Sequence, residues 1–478
     1  NYLLIFLFMQ GGVVKLIDIN DYINPNQSCI KSLVESVKNK KGNEIKKITL
    51  DDCLSCTGCI TSSESLLVNN CSLENHFSLL KDSYNTENSF KLSIVSYQSL
   101  ESLLIIYKQI KNIKDSNKNI DYYKEIINII GEILNVDFVI PLNNFILYTL
   151  NLCYKEFLDN KNKNGVGGVI CSECPGWVCY SEKKIGKISF QYMSKIKSPH
   201  EISSIIIKEL FNKYSNDKIN ADKDLYICSV MSCFDKKIEP IRYKTGINTV
   251  ISTIELEEKF KNYLNNQSNT ISNKIIDINI LKNCLKEKKS MKETKDLIKA
   301  HINNNDNIIN FSVYDFPFYE NYSSNCYIEF FTYMILKENP KYYMERKDGR
   351  NIDTKEIIIY SDETKKDILY KFLISYGLRN IQNIVRMIKT KKIKYDYVEM
   401  MACPGGCING AGQIRVDKTR DDIFKDINNG FENLSFENDY INKSINNINQ
   451  IVEELKLDSN VFSQSFKEAD FSKSDIDW

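Results

Sequence analysis

Three cysteine-bearing segments each stand directly after a short apolar run, and that placement constrains the fold more than any other feature of the chain. Val169-Ile170 runs into Cys171-Ser172-Glu173-Cys174-Pro175-Gly176-Trp177. Asp224-Leu225-Tyr226-Ile227-Cys228-Ser229-Val230-Met231 runs into Ser232-Cys233-Phe234-Asp235-Lys236-Lys237-Ile238-Glu239. Tyr395-Asp396-Tyr397-Val398-Glu399-Met400-Met401 runs into Ala402-Cys403-Pro404-Gly405-Gly406-Cys407, with Ile408-Asn409-Gly410-Ala411-Gly412-Gln413 behind it. Short apolar runs of this kind read as buried strands, as do 90–96, 137–140 and 167–170, and 99–107 reads as the helix after the first. Strands separated by helical stretches give an α/β class with largely parallel sheets. In open α/β folds ligands sit beyond the carboxyl ends of the strands, so cysteines at three such ends can converge. Gly405, Gly406, Gly410 and Gly412 would let backbone come close to a bulky group. Cys403 and Cys407, four apart, would share one face of a helical turn. Taken singly, Cys174 or Cys233 reads better as a small buried hydrophobe; the three segments together point to a site.

A fourth signal lies upstream, in Cys53-Leu54-Ser55-Cys56-Thr57-Gly58-Cys59. Three thiolates at this spacing can wrap one iron–sulfur cubane, as in the opening of the bacterial ferredoxin pattern. The Cys-Pro that closes that pattern is missing: Cys71 comes twelve residues later and precedes Ser72. Cys29 is the nearest upstream candidate for the fourth ligand. A structural zinc site on the same four thiolates is the alternative, and the tightness of the run favours the cubane.

The chain has 15 Cys against 3 His (His76, His200 and His301), so nearly any metal site here must be built from thiolates. With Lys plus Arg at 63 and Asp plus Glu at 62, bulk charge offers nothing to nucleic acid or a membrane surface. No apolar run is long enough to span a bilayer. The apolar start, residues 1–8, lacks the marks of a signal peptide and reads as a non-native extension before Met9, with a buried strand as the alternative. The cysteines then read as reduced thiols rather than a disulfide framework. Asn/Lys/Ser-rich stretches at 108–121, 212–224, 263–274 and 301–309 read as surface insertions or mobile loops.

The three strand-end segments resemble the three cluster motifs of iron-only hydrogenases. More closely, the chain resembles the hydrogenase-like cytosolic iron–sulfur assembly factors, the nuclear prelamin A recognition factor-like family. The match runs from about Leu16 to Gln413 and resumes at the last residues, with Gly377-Leu378-Arg379-Asn380-Ile381-Gln382-Asn383 also family-like. The resemblance implies two α/β lobes around a buried [4Fe-4S] site, with a small N-terminal ferredoxin-like cluster domain. The expected division is 9–90 for that domain, 91–255 and 256–435 for the lobes, and 436–478 for a C-terminal segment and tail. It implies Cys29, Cys53, Cys56 and Cys59 as ligands of the N-terminal [4Fe-4S] cluster, and Cys174, Cys233, Cys403 and Cys407 as ligands of the buried one. Cys71, Cys153, Cys171, Cys179, Cys228, Cys284 and Cys326 have no match and are expected to be structural.

Against true hydrogenases the chain departs at three points. Glu173 stands where they carry a proton-relaying Cys, Ser232 where they carry Pro, and Ala411 where they carry Gly; Lys236 and Glu239 are retained. The family implies no hydrogenase activity. It implies a cytosolic iron–sulfur protein assembly factor, with a hydrogenase or an electron-transfer protein as the alternatives. Its implied partners are an early P-loop NTPase scaffold and a late targeting complex built on a WD40 propeller. The implied location is the cytoplasm, with the nucleus beside it. Trp occurs twice, at Trp177 and as the last residue, Trp478. Ile476-Asp477-Trp478 resembles the C-terminal tripeptide that recruits clients to the targeting complex. An indole anchor next to a free carboxylate suits capture of a chain end; an unstructured tail is the alternative.

Overall fold

A computed structural model describes residues 71–84, 88–113, 119–164, 168–216, 220–243, 245–266, 272–304, 324–414 and 439–468. Its nine strands are β1 Phe90–Val95, β2 Phe138–Pro141, β3 Val169–Ile170, β4 Leu225–Met231, β5 Thr249–Ser252, β6 Tyr343–Asp348, β7 Thr354–Tyr360, β8 Ile368–Tyr376 and β9 Tyr397–Met401. They form two sheets, one in the order β2-β1-β4-β5 and one in the order β3-β9-β8-β7-β6. The chain crosses between them three times, because β3 joins the second sheet before β4 and β5 complete the first. The architecture is two α/β layers of the kind the sequence implies.

The first sheet is parallel throughout. Every residue of β4 and β5 is buried, which is why the continuous run Leu225–Met231 is legible as a strand covered on both faces. The helix Tyr97–Lys111 returns from β1, started by Ser96, whose side chain accepts from Ser99 N. The second sheet is mixed. β3, β9 and β8 are parallel, whereas β7 is antiparallel to both β8 and β6. This antiparallel part departs from the expectation of largely parallel sheets. Its outer strand, Tyr343-Met344-Glu345-Arg346-Lys347-Asp348, carries four charges and no buried residue. It gives no apolar signal, as suits an edge protected by charge.

The polar stretches differ from expectation at their starts, while 114–118, 217–219, 267–271 and 305–309 lie outside the described residues. Helices run into them: Tyr97–Lys111, Pro199–Tyr214, Thr253–Asn265 and Met291–Asn304 all extend beyond the predicted starts. Buried Tyr107 and Phe211 anchor two of these helix ends, and Asn and Lys sit on solvent faces at little cost. The first stops at Asn112, which is left-handed at φ 54° and donates its N–H to Lys108 O and Gln109 O.

The helix Asp439–Leu455 follows, then the short turn Ser459–Phe462. Phe462 is buried, which contributes about 1.5–3 kcal/mol. Among the described residues no helix is long and apolar enough to cross a membrane.

Candidate metal centre between the two sheets

β3, β4 and β9 each end in one of the cysteine segments. Cys174, Cys233, Cys403 and Cys407 line a single cavity, together with Glu173, Pro175, Asp235, Lys236 and Met401. One sulfur comes from the first sheet and three from the second. Cys29, Cys53, Cys56 and Cys59, the tail Ile476, Asp477 and Trp478, and residues 1–8 lie outside the described residues.

Cys403 and Cys407 reach the cavity by a route other than the predicted helical turn. Gly405 and Gly406 have φ of 79° and 76°, left-handed values that side chains resist. Gly406 N donates to Cys403 O at 3.0 Å, so a tight turn aims both thiols inward. Asp353, at the turn between β6 and β7, accepts from Gly405 N at 2.7 Å, and Ser324 Oγ accepts from Cys407 N at 3.3 Å. Gly410 and Gly412 serve packing between loops. A Cβ on Gly410 would meet Ser232 O at 2.3 Å, and one on Gly412 would meet Cys233 Cα at 3.2 Å. Ala411 is buried but does not line the cavity.

Polar contacts tie the loops together. Lys236 Nζ donates to Glu239 Oε1 at 2.7 Å and to Glu173 O at 3.1 Å. Burial works against its charge, but Glu239 and Glu173 outweigh burial and hold its pKa up. Glu239 is also buried, yet Lys236 and His200 keep its carboxyl below the usual range. His200 Nδ1 lies 2.7 Å from Glu239 Oε2 and its Nε2 lies 2.8 Å from Ser229 Oγ.

Glu173 points the other way. Burial raises its carboxyl despite Lys236. Its Oε1 accepts from Asn325 Nδ2, and Oε2 has no hydrogen-bond partner among the described residues. Asn325 Oδ1 accepts from Gln98 Nε2 at 3.1 Å, and Gln98 O accepts from Gln413 Nε2 at 2.6 Å. A polar chain thus runs from the third cysteine segment, through the helix Tyr97–Lys111, to the residue before Cys174.

Burial pushes the Cys174 thiol up to about 11, and raises Cys233 and Cys407 well above the ordinary thiol value. Thiolates there require a cationic partner. The donor set is soft sulfur, which suits an iron–sulfur cluster or zinc. Among the described residues no three His, Cys, Asp or Glu side chains converge tightly enough for one ion. Four thiols around one cavity match the ligand count that either group takes. Ala402 N donates to Cys174 Sγ at 3.4 Å, the kind of N–H to sulfur contact that tunes such clusters.

Sequence reasoning missed Ser324, Asn325 and Asp353. Ser324 and Asn325 stand just before the aromatic helix Tyr327–Glu338, and their polarity at that boundary is the available signal. Asp353 carries none, since only the fold of the β6–β7 turn brings it to Gly405.

The family model described as "Iron only hydrogenase large subunit, C-terminal domain" matches residues 121–411, which includes all four cavity cysteines. A Drosophila melanogaster protein named "Probable cytosolic Fe-S cluster assembly factor" is 30% identical over 84% of this chain and 84% of its own length. The "Cytosolic Fe-S cluster assembly factor narfl" of Xenopus tropicalis is 29% identical over 85% of each. Among solved structures, the FeFe hydrogenase HydA1 of Chlamydomonas reinhardtii superposes with a TM-score of 0.57. That likeness covers 83% of this chain and 98% of the other at 16% identity, and it bears on the fold alone. The chain belongs to the iron-only hydrogenase-like family, in its branch of cytosolic Fe-S cluster assembly factors.

Proposed function

We propose that this chain is a cytosolic iron–sulfur protein assembly factor that carries two [4Fe-4S] clusters and turns over no hydrogen. Cys174, Cys233, Cys403 and Cys407 would hold the buried cluster, and Cys29, Cys53, Cys56 and Cys59 the N-terminal one. The observation that carries this reading is the meeting of four cysteines from two sheets in one cavity. The four thiolates that would hold a cubane come from both sheets, so a bound cluster would tie the sheets together and would supply a site of one-electron chemistry. Buried Lys236 offsets the negative charge of the thiolates. Glu173, braced by Asn325, replaces the thiol that hydrogenases carry, which supports an adaptor over a hydrogen enzyme.

As an adaptor it would act between an early P-loop NTPase scaffold and a late WD40-containing targeting complex, in the cytoplasm and also the nucleus. Ile476, Asp477 and Trp478 would provide the contact that the targeting complex reads.

Anaerobic reconstitution tests the cluster assignment. Roughly eight irons and eight sulfides per chain are expected, falling to roughly four when Cys233 or Cys407 is changed to Ala. Infrared spectra should lack the carbon monoxide and cyanide bands of a hydrogenase di-iron unit. A zinc-loaded or colourless product refutes the reading. Deleting Trp478 should abolish recovery of the targeting complex, and unchanged recovery refutes the tail's role.

A further inference from the structure

The stretch 459–468 finishes the edge of the second sheet. Ile170 of β3 bridges Met193 in parallel register, and Ile196 bridges Ser463 antiparallel. The backbone bonds run layer by layer: Ile170 N to Tyr192 O at 2.7 Å, Ser194 N to Ile170 O at 2.8 Å, Lys197 N to Phe462 O at 2.8 Å, and Gln464 N to Lys195 O at 2.6 Å. Phe462 packs edge-on to Tyr148, and Phe466 lies against Phe190. Lys467 N donates to Glu182 Oε1 at 3.0 Å.

One side chain of this stretch reaches past the edge toward the cysteines. Gln464 is 7% exposed, and its Nε2 donates to Ile196 O at 2.9 Å and to Ser172 O at 3.4 Å. Ser172 stands two residues before Cys174. The loop that carries the first cavity cysteine is therefore held from outside by an amide from the far end of the chain, 292 residues away. Nine residues separate Glu468 from Trp478.

We propose that 459–468 is a strap whose seating is coupled to occupancy of the cysteine cavity, with Gln464 as its positioning residue. The proposal rests on the reading of Cys174, Cys233, Cys403 and Cys407 as cluster ligands. A loaded site fixes the Ser172–Cys174 loop, and a fixed loop holds Ser172 O at a constant distance from Ile196 O, the two acceptors of Gln464 Nε2. An emptied site lets the loop shift, and the strap loses that anchor. The coupling is reciprocal: if the cluster tightens the strap, the strap tightens the cluster by the same factor. Chain ends that precede a partner-binding tail would then be held differently before and after loading, so a partner could distinguish the two forms.

The test uses the full chain, reconstituted without oxygen, and follows hydrogen exchange of 459–468 before and after iron is removed by a chelator. Helix 439–455 serves as the internal reference. The strap amides should exchange about tenfold faster after iron removal, while 439–455 is unchanged. In Gln464→Glu the donor becomes an acceptor facing two carbonyls. The strap should then exchange fast even when loaded, and the chelator should strip the irons of the buried cluster about tenfold faster. Gln464→Asn should lie between, and Glu468→Ala, which removes only an exposed ion pair with Lys187, should match the unmodified chain. Equal strap exchange with and without iron, or a rise shared by 439–455, overturns the strap. A chain that holds no iron overturns the cluster reading and the strap with it; one that holds its irons beside an indifferent strap overturns the strap alone.

Discussion

The two sheets meet at the cavity but are built on opposite plans. The first, β2-β1-β4-β5, is parallel and buried on both faces, and it delivers one cysteine, Cys233. The second is half antiparallel and delivers three. The first holds its loop rigidly by packing and by a buried ion pair. The second holds its loops by glycine turns and by side chains brought from a distance, Asp353, Ser324 and Gln464 among them. A site shared this way depends on the few contacts that cross the gap, and these are where it can be broken.

Lys236 is the strongest of them. It sits on the first sheet's side, pairs with Glu239 and donates across to Glu173 O. Lys236→Met would leave the Glu239 carboxylate buried with only His200 and Ser198 as neighbours. Breaking a buried pair from one side costs about 3–5 kcal/mol. The urea midpoint of the iron-free chain should drop accordingly at an unchanged slope. A loss under about 1 kcal/mol would mean that the two sides are joined by something other than this lysine.

The same contrast governs how much was legible. β1, β2, β4 and β9 stand near the predicted positions because continuous apolar runs need no partner to be read. The three strand ends were readable for the same reason, so the convergence of Cys174, Cys233, Cys403 and Cys407 could be expected. β6 was not readable, because an edge strand protected by Glu345, Arg346, Lys347 and Asp348 looks like loop. Nor was the route of Cys403 and Cys407: spacing four fits a helical turn, and only the positive φ of Gly405 and Gly406 selects the other solution. Gln464 and Asn325 are long-range partners, and no local pattern announces a side chain whose acceptor lies 292 or 152 residues away.

Glu399 sharpens the comparison through pH. It lies in β9 on the second side, where burial raises its carboxyl to about 7 against the bonds from Tyr376 Oη and Ile328 N, with Glu329 and Glu173 adding to the rise. The folded chain thus keeps a proton that the unfolded chain releases near the ordinary carboxyl value. Between those two values the folded state binds more protons, so stability falls as pH rises from about 4.5 to about 7. Glu399→Gln is neutral throughout and should remove that slope, worth at most about 3 kcal/mol. Urea midpoints of both proteins at pH 5 and pH 7 measure it. The unmodified chain should lose more stability than the variant over the interval, and parallel behaviour would show that Glu399 titrates as it would in water.

The smallest expected effect isolates the second side's reliance on backbone shape. Gly405 has φ 79° and donates its N–H to Asp353 at 2.7 Å. A side chain in the left-handed region costs about 1–2 kcal/mol, and Asn tolerates it better than Ala. Gly405→Ala should therefore lower the urea midpoint by that amount, and Gly405→Asn by about half as much. Iron content should hold in both, because the turn's hydrogen bonds use backbone atoms that either variant keeps. The ranking of the two variants decides the matter. If Asn costs as much as Ala, the loop is limited by space around Gly405, as the first sheet is by packing, and the contrast between the two sides disappears at this position. If Asn is the milder, the third cysteine segment owes its aim to a dihedral angle alone, and Cys403 and Cys407 point into the cavity because two glycines let the chain turn left.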